Sequence, residues 1–237
     1  MGNLIETFRS SFRIPELRKK IFYTFFIVIL FRIGGNIPVP GIDRLAFTEL
    51  VNRFGQLGNM MDIMSGGALK SVSIFAMGIT PYINASIIIQ LLTVAIPALE
   101  RLAKEGETGR KKLQKITRIS AGILALLQSI GFWFSIKPAS SGTLPLWLNG
   151  IMVILTFTAG AMLIVWMGES INEHGLGNGI SIIIFSGIIS RVPVMIQALW
   201  GYSQLWAANI NFFVSLLFVI LVVIALLLII VGVLYVQ

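Results

Sequence analysis

Gly78-Ile79-Thr80-Pro81-Tyr82-Ile83-Asn84 is the stretch on which the fold turns. It lies inside the apolar run 72–97, long enough for a helical crossing at about 20 residues. Pro81 withholds a hydrogen-bond donor and obstructs the turn before it, and Thr80 and Asn84 add polar groups to an apolar helix. In hydrocarbon every peptide group needs an internal partner. Broken backbone is therefore tolerated at membrane depth where it is buried in protein or lines a water-filled cavity. The break points to a multi-span membrane protein with a passage.

Composition agrees. The 237 residues are 56% hydrophobic and 12% charged and contain no Cys, with mean hydropathy +0.90, against roughly 45–50% apolar and about 25% charged in a soluble domain. Disulfides, thiol catalysis and Cys-ligated metal are excluded. Working outward, we expect an all-α polytopic membrane protein with spans at 21–40, 72–97, 116–136, 147–168, 179–199 and 212–237. An outer loop occupies 41–71, a cytoplasmic basic connection 98–115 and a cytoplasmic turn 169–178. The apolar run 21–31 is short and follows basic residues, as in a signal peptide, but no small-x-small cleavage site follows, so it reads as an uncleaved span.

Lys and Arg set the orientation. Arg9, Arg13, Arg18, Lys19 and Lys20 lie in the leader 1–20, and Arg101, Lys104, Arg110, Lys111, Lys112, Lys115 and Arg118 follow the second span, which places both segments and the N-terminus in the cytoplasm. The turn 169–178 has no Lys or Arg and is silent. Leu4, Ile5, Phe8 and Phe12 fit an amphipathic interfacial helix ending at Pro15, and a disordered basic tail fits the same residues. The 98–115 connection, with Gly106 and Gly109, reads as a cytoplasmic hairpin whose charges either dock a partner or only fix topology.

Two further features have double readings. Residues 57–69 are too short and broken to span. Met60, Met61, Ile63 and Met64 could form one or two turns of a re-entrant or capping segment between glycines, or belong to an ordinary outer loop. Ser86, Gln90 and Thr93, at i, i+4 and i+7, form a polar stripe that either bonds packed helices or borders an opening.

Chemistry is sparse. His174, the one His, has Glu173 and Glu169 nearby but no second imidazole, so neither a metal site nor a nucleophilic triad follows, and no cofactor is implied. Gly175-Leu176-Gly177-Asn178-Gly179 lacks the βαβ setting of a dinucleotide loop and reads as a tight turn opening a helix. Arg32 and Asp62 are the ionisable groups nearest membrane depth, with Arg32 able to snorkel and Asp62 to sit in water. An intramembrane enzyme would need convergent catalytic groups, and a small-solute carrier a fixed site between broken helices. The sequence supplies no convincing catalytic set and no paired intramembrane carboxylates.

Four stretches together resemble the SecY family, the channel subunit of the bacterial-type Sec translocon. They are Phe31-Arg32-Ile33-Gly34-Gly35-Asn36-Ile37-Pro38-Val39-Pro40-Gly41-Ile42-Asp43, Ser65-Gly66-Gly67-Ala68-Leu69, Gly78 through Leu92, and Trp166-Met167-Gly168-Glu169 followed by Gly175 through Ile184. Lys104-Glu105-Gly106-Glu107-Thr108-Gly109-Arg110 adds a matching connection. The resemblance implies the first half of a ten-helix clamshell with a re-entrant plug, with the chain ending inside the sixth helix. It further implies passage of unfolded secretory polypeptide across the membrane and sideways release of hydrophobic segments into lipid, without catalysis.

By position, the resemblance assigns Ile79, Ile83, Ile180 and Ile184 to a pore ring. It assigns Leu57, Met60, Met61, Asp62, Ile63, Met64, Ser65, Gly66, Gly67 and Leu69 to the plug. Asn84, Ser86, Gln90 and Thr93 match a lateral gate, and Lys104, Arg110, Lys111 and Lys112 a cytoplasmic docking loop. The implied partners are SecE and SecG, the SecA motor or a translating ribosome, a signal sequence with its secretory chain, the C-terminal half of the same channel, and lipid. The implied location is the bacterial cytoplasmic membrane.

Overall fold

The computed structural model describes residues 14–53, 55, 58, 62, 65–142, 144–194 and 197. The amphipathic leader stretch through Phe12, the plug positions Leu57, Met60, Met61, Ile63 and Met64, and the sixth span at 212–237 lie outside the described residues.

Helix α1 covers Pro15–Gly34. It begins before the expected span because Pro15 is pre-set for the first helical position and Glu16 complements the positive end of the helix dipole. Beyond Gly34 the chain turns, and residues 37–39 run beside 72–74: Val39 N–H donates to the Val72 carbonyl at 2.8 Å and Ile74 N–H to the Ile37 carbonyl at 3.0 Å. Helix α2 (Arg44–Arg53) lies in the 41–71 connection and buries Phe47 and Val51.

The second span is not helical over 72–97. Helix α3 covers only Thr80–Ala95. The residues before it form turns, with Val72 at φ 50° and Gly78 at φ 58°, and Pro81 sits in the first turn, where its missing N–H costs nothing. Helix α4 (Pro97–Lys104) follows at 101° to α3, Pro97 opening it. The expected 98–115 hairpin is thus α4, a turn at Glu105–Gly106, and the start of a long helix α5, Glu107–Ile136. A 3-10 turn, Lys137–Ala139, leads towards α6, Leu146–His174. The turn expected from 169 therefore starts only after His174, and helix α7 covers Gly179–Ile189.

Among the described residues, Glu107–Ala139 and Leu146–His174 are each long and apolar enough to cross a membrane, and the bent pair α3–α4 together makes a third candidate. Many large apolar side chains face outward, including Phe22, Phe25, Ile123, Leu127, Leu155 and Trp166. Such a surface suits lipid or other membrane-embedded protein.

Inside, the side chains form two apolar clusters. One gathers Phe47, Val51, Leu69, Val72, Trp133, Val153 and Phe157. The other gathers Ile27, Phe31, Phe75, Ile79, Ile164, Ile171 and Ile183. Lipid offers helices no hydrophobic drive to associate, so close packing of small residues and interhelical hydrogen bonds hold them. Gly160 of α6 lies so close to the Ile74 carbonyl that a Cβ there would overlap it. Beside it Thr158 Oγ1 donates to Ser129 Oγ of α5 at 3.1 Å.

Asn149 ties the loops at one end of the helices. Fully buried, it donates from Nδ2 to the Gly41 carbonyl and to Ser140 Oγ, both at 2.7 Å.

Candidate functional site

The site forms where two helices begin beside one another. Ile79 is the residue just before α3, and Ile83 lies one turn further on. Ile180 and Ile184 occupy the same relation on α7, whose start is set by Asn178: its Oδ1 accepts from Ile180 N–H at 3.1 Å and Ser181 N–H at 3.3 Å. Asn172 Oδ1 of α6 accepts the Gly179 N–H at 2.7 Å. Gly179 also packs so closely on the Gly168 carbonyl that a side chain there would overlap it. These contacts fix the rotation of α7 on α6. All four isoleucines consequently enter a single apolar cluster, Ile79 buried and the other three half-buried.

The described part of residues 57–69 seats itself on the same cluster. Asp62, far from sitting in water, is 4% exposed and organises the glycine-rich turn. Its carbonyl accepts the Gly67 N–H at 2.8 Å, its Oδ1 the Lys70 N–H at 2.8 Å, and Ser65 Oγ bridges from the Asp62 carbonyl to the Leu69 N–H. Ala68 joins the isoleucine cluster and Leu69 the other one. Gly66, at φ 66°, lies against Gly187 of α7, where a Cβ would come within 2.9 Å of the Gly187 Cα. Its carbonyl accepts from Arg32 Nη1 at 3.3 Å, and Ser190 Oγ, which donates to the Gly187 carbonyl at 2.6 Å, lies 3.4 Å from it. Arg32 therefore engages the loop.

The four expected gate residues divide. Ser86 and Gln90 share a face, joined by a 3.2 Å bond from Gln90 Nε2 to Ser86 Oγ, and both line a recess with Ile83, Asn172, Asn178 and Ile180. Asn84, two positions before Ser86, lies nearly opposite it around the helix and lines a different recess with Leu124 and Gln128 of α5. Thr93 Oγ1 donates back to the Ile89 carbonyl at 2.7 Å. The docking residues are exposed: Lys104 pairs with Glu100, Lys111 with Glu107 at 3.0 Å and Lys112 with Glu105 at 3.4 Å. Pairs this exposed contribute little to stability. Arg110 is exposed as well.

One pair escaped the sequence reading. Arg118 Nη1 of α5 meets Glu169 Oε2 of α6 at 3.0 Å, with the Glu169 side chain only 8% exposed. An acid in an apolar segment was the available signal, but its partner, 51 positions away, shares no local period with it. His174 packs instead against the Tyr23 ring, their centroids 5.6 Å apart.

A family model described as SecY matches residues 73–237. The chain belongs to the SecY family. The protein translocase subunit SecY of Lactococcus lactis is 39% identical over 236 residues, 98% of this chain and 53% of that protein. The corresponding subunit of Bacillus subtilis is 39% identical over 241 residues, covering 99% and 54%. That of Staphylococcus carnosus is 41% identical over 239 residues, covering 98% and 54%. The chain thus spans about half the length of the curated SecY relatives it matches. Among solved structures, "The structure of a protein conducting channel" superposes with TM-score 0.58 at 19% identity, over 88% of this chain and 47% of that one. Sec61 in a canine ribosome-channel complex from the endoplasmic reticulum gives the same values. These likenesses establish the SecY fold for the chain.

Proposed function

We propose that this SecY-family chain forms one wall of a protein-conducting channel that passes unfolded secretory polypeptide and releases hydrophobic segments sideways into lipid. The observation that carries the reading is the meeting of Ile79, Ile83, Ile180 and Ile184 in one cluster on which the 65–69 turn is seated. Branched apolar side chains at a constriction adapt to an extended chain and disfavour a continuous water column when the passage is empty. In this reading Ile79, Ile83, Ile180 and Ile184 are half of the ring, residues 57–69 the plug, and α3 with Ser86 and Gln90 the gate helix.

The C-terminal half of the same channel would face this wall, with SecE and SecG beside it in the membrane. SecA or a translating ribosome would supply the driving energy from the cytoplasmic side, where Lys104, Arg110, Lys111 and Lys112 would lie. In this reading the chain sits in the bacterial cytoplasmic membrane, in keeping with the bacterial source of its relatives and its outward apolar side chains, and the Lys and Arg distribution supports a cytoplasmic N-terminus. No catalytic step belongs to this reading.

These 237 residues hold no Cys, so Ile83→Cys gives the single thiol of this part of the full-length channel. It should crosslink to a secretory chain arrested in transit. Labelling by lipid probes alone, or uptake of a small solute without polypeptide passage, would overturn the assignment.

A further inference from the structure

The recess beside the isoleucines carries more information than a gate requires. Its volume is about 340 Å³, and Ile83, Ile180, Ser86, Gln90, Asn172 and Asn178 contribute to its lining. Its polar residues come from three places: Tyr82, Ser86 and Gln90 from α3, Asn172 from α6, and Asn178 from the start of α7. None is charged.

Their hydrogen bonds determine which atoms remain. Within a side-chain amide only the oxygen accepts, so the bonds from Gly179, Ile180 and Ser181 fix the amide oxygens of Asn172 and Asn178 on the α7 backbone. The Nδ2 amino groups of both side chains are left over, with no further bond among the described residues. On α3 the relation is reversed. Gln90 spends an amino hydrogen on Ser86 Oγ, leaving its carbonyl oxygen as an acceptor. One side of the recess thus offers donors and the other an acceptor.

An extended polypeptide presents carbonyls and N–H groups alternately along its length. Entering an apolar constriction strips water from both, and an unpaired main-chain group is costly there. Building on the polypeptide-conducting reading, we propose that this recess binds the main chain of the passing polypeptide next to the ring. Asn172 and Asn178 donate to its carbonyls, and Gln90 accepts from its N–H. Because every residue except proline carries both groups, the contact is indifferent to side chains. Neutral amides hold each segment weakly enough to hand it on.

The experiment uses the full-length channel, translocating two unfolded substrates of unrelated sequence. Asn178→Ser keeps a capping oxygen for α7 while removing the amino group, and Asn172→Asp keeps the oxygen that accepts from Gly179. Combined with Gln90→Met, these changes should slow transit of both substrates alike, roughly three- to tenfold. The exposed Gln90 position gives a second test that leaves the α7 caps intact: Gln90→Met alone should slow transit, and Gln90→Glu, which keeps an acceptor, should recover most of the loss.

Unchanged transit in the triple variant, slowing of only one substrate, or equal effects of Met and Glu at position 90 would overturn the proposal. Each of these outcomes leaves the channel reading standing. A parent channel that passes no polypeptide would defeat that reading and this one together.

Discussion

The guanidinium of Arg32 donates to the main-chain carbonyl of Gly66 at 3.3 Å, tying the last turn of α1 to the glycine-rich turn seated on α7. Ser190 Oγ lies 3.4 Å from the same oxygen, while its hydroxyl donates to the Gly187 carbonyl at 2.6 Å. Arg32 therefore supplies the main grip on this carbonyl of the proposed plug, with Ser190 a weak neighbour. We predict that Arg32→Met weakens this hold by about 1 kcal/mol, raising the released population roughly fivefold. Ion conductance of the resting full-length channel measures it, with Ser190→Ala giving a smaller rise in the same direction. Equal resting conductance in both variants would remove Arg32 and Ser190 from the sealing mechanism.

Gly66 itself should tolerate no side chain. Its φ of 66° disfavours other residues, and a Cβ would press on Gly187. Gly66→Val is expected to lift the turn off α7 without unfolding the bundle. In a Leu69→Cys background, thiol labelling by a membrane-impermeant reagent should then increase. Labelling as slow as in the Gly66 parent would show that the turn does not depend on this contact.

The Arg118–Glu169 pair is asymmetric, since Arg118 is half-exposed and Glu169 buried. Removing the arginine strands a buried charge, whereas Glu169→Gln removes that charge itself. We expect Arg118→Met to destabilise the protein by about 2–3 kcal/mol, Glu169→Gln by less, and the double variant by little more than Glu169→Gln. Thermal unfolding of the purified full-length protein in detergent reports this order. The reverse order would mean that solvent relaxes around Glu169.

Asn149 should behave as a structural rivet. Asn149→Leu discards its bonds to the Gly41 carbonyl and Ser140 Oγ and leaves that part-buried carbonyl only the Ser141 N–H, at a cost of about 1–2 kcal/mol. Gly41→Ala should be comparably harmful, because Gly41 sits at φ 82° with Asn149 Oδ1 where a Cβ would go. The same unfolding measurement checks both, and a wild-type melting temperature in either variant would contradict this account.

Much of the helical plan was legible because it is local. Pro81 and Pro97 mark the starts of α3 and α4. The apolar runs at 116–136 and 147–168 lie within α5 and α6. The turn expected from residue 169 begins later in the structure, because Glu169, Ser170 and Asn172, polar as they are, stay helical. Glu169 is satisfied by Arg118 on α5, and Ser170 Oγ hydrogen-bonds with the Tyr23 hydroxyl of α1.

By itself, the amino-acid sequence determined that this is a helical membrane protein, where its backbone breaks near Pro81, and the spacing of its isoleucines, because composition, proline chemistry and helical period act over a few residues. Only the tertiary structure decided that Arg32 grips Gly66, that Glu169 answers Arg118, that Asn149 holds Gly41, and that Ile79 and Ile83 meet Ile180 and Ile184. Those meetings depend on how closely helices approach and how each is rotated, which Gly160 and Gly179 permit through contacts with residues far away in the chain or on a neighbouring helix.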